Sequence, residues 1–285
     1  FELIKIQFRL HHKNKLFALT EIVFTAVLTI SVLTLSYYFK ENGYAVALLL
    51  TPIISVLFFI NQFKSDLFFK EKLTIINREF WNYGIFASLS NVVTQLLFVI
   101  DILLIGFLLN DAEMVTNYKY ISLVPLSLLF LPRAFINTDF VTFTERIRDK
   151  KYIAKYIKSY LLLFTLLSIG FCIFFGLFAD FILNLFDASF TQYKTSFLIL
   201  IVGVCGILIF RGIFGNLLSS IGKAHINFYI TSVALLINVF SNYYLIPKYG
   251  IKGAAVTSAS LMWFTGIVSA ILFWKLYNNH FLSKK

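Results

Sequence analysis

"LLFVIDILLIGFLL", residues 96–109, places thirteen uncharged residues around one carboxylate, Asp101. Nothing within the stretch pairs with that charge or solvates it. The stretch is too uniformly apolar for a strand, and together with the residues before it, it belongs to a run, 82–108, long enough for a helix to cross roughly 30 Å of hydrocarbon. Seven further runs of this kind accompany it, so that eight in all lie near 17–39, 44–60, 82–108, 118–138, 159–179, 196–219, 226–246 and 253–275. None alternates with a period of two, which argues against an outer-membrane barrel. Helices satisfy their own backbone in lipid, so the expected fold is an all-α polytopic membrane protein with about eight transmembrane helices. The composition agrees: 59% of the 285 residues are hydrophobic and 14% are charged, against about a quarter charged in soluble domains.

The net charge of +11 belongs to topology and not to nucleic acid. With the N-terminus taken as cytoplasmic, 18 Lys and Arg fall in the segments on that side and 5 on the other, while Arg133 and Arg211 lie inside spans. This is the positive-inside pattern, and it puts both termini in the cytoplasm. Basic loops beside helices read as contacts to anionic membrane lipids. Residues 1–16 are basic and amphipathic, like a loop between spans, and the chain starts at Phe1 without a signal peptide. It is expected to be a fragment of a longer membrane protein. Cys172 and Cys205 fall within spans and read as small core residues. His11, His12, His225 and His280 lie outside the spans, and no HExxH, CxxC or glycine-rich phosphate loop occurs. No cofactor, metal site or catalytic residue is expected.

A weak internal repeat joins the first two spans to the last two. "YYFKENGYAVALL" (37–49) resembles "YYLIPKYGIKGAAVTSA" (243–259): a Tyr pair closing a helix, a glycine-containing turn, then Gly-x-Ala-Val opening the next. Two hairpins of one type would look alike without common origin. If the match is a repeat, its members lie six spans apart, and an even number makes the repeat parallel.

Placed on a wheel at 100° per residue, Ser88, Ser90, Asn91, Thr94, Gln95 and Asp101 fall within about 160°. The opposite arc, from Phe86 to Phe107, is wholly apolar. Asp101 therefore points inward, toward protein or water, as ionisable groups in membranes do. Asn227, Thr231, Asn238, Ser241 and Asn242 share about 100° of the seventh span. Such faces are either helix–helix glue or the wall of a wet cavity. Arg133 and Arg211 sit about 8–12 Å inside the cytoplasmic ends of their spans, either snorkelling to headgroups or lining a path. Asp101 lies in the other half, so an Arg–Asp pair is not expected. Pro132 removes a backbone donor, frees the Leu128 carbonyl and predicts a kink. Trp81 and Trp274 read as interface anchors.

"GYAVALL", "FVIDILLIGFLLNDAEMVTNYKYISLVPLSLLFLPRAF" and "IGKAHINFYITSVALLINVFSNYYLIPKYGIKGAAVTSAS" resemble the Wzx-type polysaccharide flippases of the multidrug/oligosaccharidyl-lipid/polysaccharide exporter superfamily. The resemblance covers nearly the whole chain and aligns it with the fifth to twelfth helices of a twelve-helix, two-bundle exporter. It implies that 1–60 are the last two helices of the N-terminal bundle, 61–80 a cytoplasmic linker and 81–285 the C-terminal bundle. The implied activity is flipping a polyprenyl-diphosphate-linked oligosaccharide across the bacterial inner membrane. The implied partners also include H+ or Na+ and the N-terminal helices of the full-length chain. By the same resemblance Arg133 and Arg211 bind the diphosphate or acidic sugars, and Asp101 serves coupling. The polar faces add Asn238 and Asn242 as candidate substrate contacts, and Gln95, Thr94 and Asn91 as candidate cavity-lining residues.

Three other readings stay open. A cation-coupled multidrug antiporter of the same superfamily would want an acidic cavity, whereas the interior candidates here are two Arg against Asp101 and Glu21. A membrane-embedded glycan polymerase or acyltransferase would need clustered acids or bases in a large loop. The longest outer loop, residues 180–195, has two Asp, one Lys and no His. The isolated piece, finally, would leave half a bundle's polar faces unpaired and would be unstable.

Overall fold

The computed structural model describes residues 1–64 and 77–282, with side chains described over 1–60 and 77–278. Every regular element among them is helical. Seven helical stretches are long and apolar enough to cross a membrane, the first being Asn14–Ile60, and the chain is a multi-pass membrane protein. Asn14–Ile60 takes in the first two of the eight expected runs, because α2 (Asn14–Lys64) continues from one to the other across a kink without an intervening loop. Lys40 breaks that helix with φ 49° and ψ −127°. Three residues on, a Cβ at Gly43 would collide with the Leu35 carbonyl, so the chain doubles back between the two runs.

The chain divides into two compact units, Phe1–Ile76 and Asn77–Lys285. Of the linker expected over 61–80, residues 65–76 lie outside the described residues; α2 reaches Lys64, and α3 begins at Arg78. Asn77 starts α3 by accepting the Phe80 N–H at 3.1 Å, the usual asparagine N-cap. In the first unit, residues expected as a loop form α1 (Glu2–Leu10). Ile4 and Phe8 bury one side of it against Phe59 of α2, and Lys5 pairs with Glu21 at 2.5 Å.

The second unit holds α3 (Arg78–Leu109), α4 (Ala112–Ser127), α5 (Phe130–Glu145), α6 (Lys150–Asn184), α7 (Lys194–Gly206), α8 (Gly212–Ser220), α9 (Ala224–Tyr249) and α10 (Ile251–Leu282). The single span expected over 118–138 is bent into α4 and α5 at Leu128 and Leu129, four and three residues before Pro132. The Leu128 carbonyl is not left free as expected, because Leu131 N–H donates to it at 3.1 Å. α5 then packs on α8. The span expected over 196–219 is also not one α-helix. A π turn, Ile207–Arg211, separates α7 from α8. α7 and α10 approach closely because both present small residues: a Cβ at Gly203 would come within 2.6 Å of Ala259 Cα, and one at Gly206 within 2.8 Å of Trp263. Membrane helices without a hydrophobic drive to associate use such residues to bring backbones together. The outward side of α3 carries Leu89, Val92, Leu96, Val99, Leu103 and Phe107.

The two hairpins that resemble each other in sequence share one turn. Gly250 has φ 56° and ψ −136°, close to the values at Lys40. Each precedes by three residues a glycine, Gly43 or Gly253, that sits on the carbonyl eight residues upstream, Leu35 or Leu245. Glycine adopts that backbone at little cost, whereas at Lys40 a side chain is held at positive φ, a strain of about 1–3 kcal/mol. Lys40→Gly should therefore stabilise the protein by about 1 kcal/mol. Gly253→Val should destabilise it by about 1–3 kcal/mol. Thermal unfolding of both variants in detergent measures the pair.

Candidate functional site

The inward edge of α3 is formed by Ser90, Thr94, Leu97 and Asp101, which share an arc of about 60° on the wheel. Asp101 is 2% exposed. Its Oδ1 accepts from Asn238 Nδ2 at 2.9 Å and from Asn242 Nδ2 at 2.7 Å. Its Oδ2 accepts from Tyr118 Oη at 2.9 Å and from Ser258 Oγ. An ionised carboxylate has about four lone-pair sites, so these four donors from α4, α9 and α10 fill them. Asn242 Nδ2 also reaches Asn238 Oδ1 at 3.0 Å, and Asn242 Oδ1 is left buried without a partner.

Arg211 ends the π turn. Its Nη1 donates to Asn227 Oδ1 at 2.9 Å and to Ser269 Oγ at 2.5 Å. Asn227 is fixed in turn by donating to the Gly215 carbonyl at 2.6 Å and to Ser219 Oγ at 3.0 Å. All these partners are neutral, and among the described residues no carboxylate pairs with Arg211. The π turn interrupts the regular helical ladder, and Tyr160 of α6 donates its hydroxyl to the Leu208 carbonyl at 3.0 Å. Gly212 lies flush beneath that hydroxyl, where a Cβ would come within 2.7 Å of it and 3.0 Å of Pro132 Cβ. π turns of this kind recur at functional sites.

A small cavity joins the two clusters. Thr94, Arg211, Thr231, Asn238, Ser258 and Thr265 line it together with Leu97, Phe98, Ile207, Leu261 and Met262, and the surface they turn to it is mostly apolar. Its volume of about 30 Å³ has room for about one or two water molecules. Counting residues along α9 from Asn227 to Asn238 and Asn242, and along α10 from Ser269 to Ser258, separates the clusters by about 16–22 Å. Asp101 and Arg211 thus form no pair, as expected, but stand at the two ends of one polar axis inside the bundle.

The expected site residues are partly brought together. Asp101 and Arg211 anchor the axis. Asn238 and Asn242, candidate substrate contacts on the polar face of the seventh span, hold Asp101, and Asn238 also lines the cavity. Thr94 lines it too, with its hydroxyl turned to the Ser90 carbonyl at 2.7 Å. Asn91 and Gln95 are exposed, as is Ser88. The broad polar face of α3 therefore splits into a buried edge and an exposed one. Phe86, expected to face lipid, packs on Phe228 and Tyr229 of α9. Arg133 is exposed on α5 and lies outside the cavity. Where α6 leads into α7, Asp180 pairs with Lys194 at 2.6 Å. Asp187 caps the Ala188–Tyr193 turn, and the Ser189 N–H holds its carboxyl below the usual range. Both acids have structural partners. Sequence reasoning missed Tyr118, Ser258, Ser269 and the π turn. Ser258, Thr265 and Ser269 do lie within about 40° on α10, a signal the sequence carries.

No family model and no curated protein matches the chain. Among solved structures, a proline-to-alanine mutant of a MATE protein superposes with a TM-score of 0.67 at 16% identity, over 94% of this chain. The chain spans 63% of that protein's length. The shared property is the fold: the chain has part of the helical architecture of a MATE transporter.

Removing one donor from a buried carboxylate costs about 1.5–3 kcal/mol. Asn238→Leu should lower unfolding free energy by about 2 kcal/mol, while Gln95→Leu on the exposed edge should change it by less than about 0.5 kcal/mol. Parallel thermal melts in one detergent provide the comparison.

Proposed function

We propose that this chain contributes two helices of an N-terminal bundle (residues 1–60) and a C-terminal bundle (81–285) to a twelve-helix exporter. The exporter flips a polyprenyl-diphosphate-linked oligosaccharide across the bacterial inner membrane, with the chain's C-terminus in the cytoplasm. The observation that carries this reading is Arg211: a half-buried guanidinium, held by neutral side chains only, at the wall of a small internal cavity. Keeping a positive charge inside a bundle without a countercharge is expensive, and an anionic group on the cargo would offset that cost. Guanidinium suits a diphosphate because it stays charged and presents paired donors. The family resemblance supplies the glycan and its lipid carrier, and the MATE-like fold supports export in general.

The cavity as described admits water and not a sugar, so the head group reaches Arg211 only when the bundle opens. The π turn, where the helical ladder is already broken, is the weakest point of the α7–α8 span for such a movement. Arg133, exposed one residue from Pro132, is the second cation assigned to the head group. Coupling falls to Asp101. A proton would cancel its charge, and Na+ would replace some of its four donors and draw on the unpartnered Asn242 Oδ1. Either step rearranges the contacts that tie α3 to α4, α9 and α10.

The neighbour's designation, multidrug and toxic compound extrusion, favours a cation antiporter as the second reading. Full-length protein in proteoliposomes separates the two when offered a fluorescent lipid-diphosphate oligosaccharide and, separately, a cationic dye. We expect glycolipid flipping and no dye efflux, with Arg211→Gln reducing flipping by about tenfold or more at unchanged folding yield. Dye efflux that survives Arg211→Gln, with no glycolipid movement, would reverse the assignment. Asp101→Asn should make the remaining flipping insensitive to an imposed H+ or Na+ gradient; a gradient response equal to that of the unmodified protein removes Asp101 from coupling.

A further inference from the structure

The chain has two cysteines, separated by 33 positions and carried by different helices. The fold brings them together: Cys172 Sγ of α6 and Cys205 Sγ of α7 are 3.7 Å apart. Neither forms a disulfide. At that separation the sulfurs touch without bonding, since an S–S bond is about 2.05 Å. The two thiols differ in access. Cys172 is exposed, between Ile169 and Ile173 on the outward face of α6, and Cys205 is buried. That outward face is apolar and lies inside a membrane-spanning helix. A reagent reaching the pair must therefore come through the bilayer.

The pair's position in the fold gives its closure a consequence. Cys205 stands two residues before the π turn Ile207–Arg211. The same helix, α6, already holds that turn through Tyr160 and the Leu208 carbonyl, three residues after Cys205. A covalent link at Cys205 would add a second tie between α6 and the N-terminal end of the segment that leads to Arg211.

We propose that Cys172 and Cys205 form a reversible thiol/disulfide site, oxidised by a lipid-dissolved quinone, that staples α6 to α7 beside the π turn. The reaction balances as a two-electron exchange. Both S–H bonds break and one S–S bond forms, while the quinone takes up two electrons and two protons and leaves as the hydroquinone. A dithiol in the bilayer restores the thiols by exchange. The proposal rests on contact between two side chains and on the membrane placement of α6, and it holds whatever the cargo of the exporter.

The test uses full-length protein in vesicles at low protein density, treated with a short-chain, fully substituted benzoquinone and then alkylated. The expected result is one intramolecular disulfide. The intact mass falls by two hydrogens, Cys172 and Cys205 lose alkylation together, and one hydroquinone appears per chain. Glutathione disulfide added to the water phase has no such effect. Amide exchange over residues 207–212 slows by about tenfold in the oxidised form. Cys172→Ser, which alters an exposed position and spares the buried one, abolishes both the mass change and the slowing. Two cysteines still alkylated after quinone treatment, or disulfides only between chains, would overturn the site. A disulfide that forms without any change in amide exchange would overturn the staple.

Discussion

The second unit is organised around a carboxylate that has no water to sit in. An ionised Asp in an apolar interior is tolerated only when its lone pairs are filled, and here the donors come from Tyr118, Asn238, Asn242 and Ser258. No one neighbour could supply them. Asn238 and Asn242 are one turn apart on α9, Ser258 lies just past the tight Gly250 turn on α10, and Tyr118 follows the short link from α3 to α4. Satisfying Asp101 therefore fixes the relative register of four helices at once. The cluster is a structural clasp and a chemical lever in the same atoms: any species that binds Asp101 competes with the contacts that close the bundle.

Much of this axis is legible in the amino-acid sequence. The apolar run over 82–108 is long enough for a spanning helix, and the wheel turns Asp101 inward. The asparagine face of α9 is visible from the spacing of Asn227, Asn238 and Asn242. What is not legible depends on tertiary geometry. An arc of about 160° on α3 covers two different environments, and only packing shows that Thr94 is inside while Asn91 and Gln95 are outside. The π turn has no local signature, because helical periodicity on either side of Ile207–Arg211 is intact. The meeting of Cys172 with Cys205 follows from the antiparallel register of α6 and α7, which no spacing within either helix encodes. The hydroxyl stripe on α10 is readable but weak, since serine and threonine serve equally as packing residues in membrane helices.

Of the two readings of the hydrophilic stripes, helix–helix glue or the wall of a wet cavity, the second unit fits mostly the first. The stripes of α3, α9 and α10 meet one another and leave room for a water or two. Their polarity is spent mostly on side chains of neighbouring helices. Arg211 is the exception, because its partners share its hydrogen bonds without cancelling its charge. The matching turns at Lys40 and Gly250 indicate that closely similar hairpin geometry can be reached with and without glycine at the strained position, the Lys-containing version retaining that strain.

Asp101 and Arg211, held at opposite ends of an almost dry bundle, also make an electrical object. With Asp101 ionised, charges of opposite sign about 16–22 Å apart along helices of this rise form a dipole within a bilayer, where voltage drops over a comparable thickness. One elementary charge carried across the full membrane exchanges about 2.3 kcal/mol with each 100 mV. Any rearrangement that lengthens, shortens or tilts this dipole therefore does electrical work, and its rate depends on membrane potential even when no ion crosses.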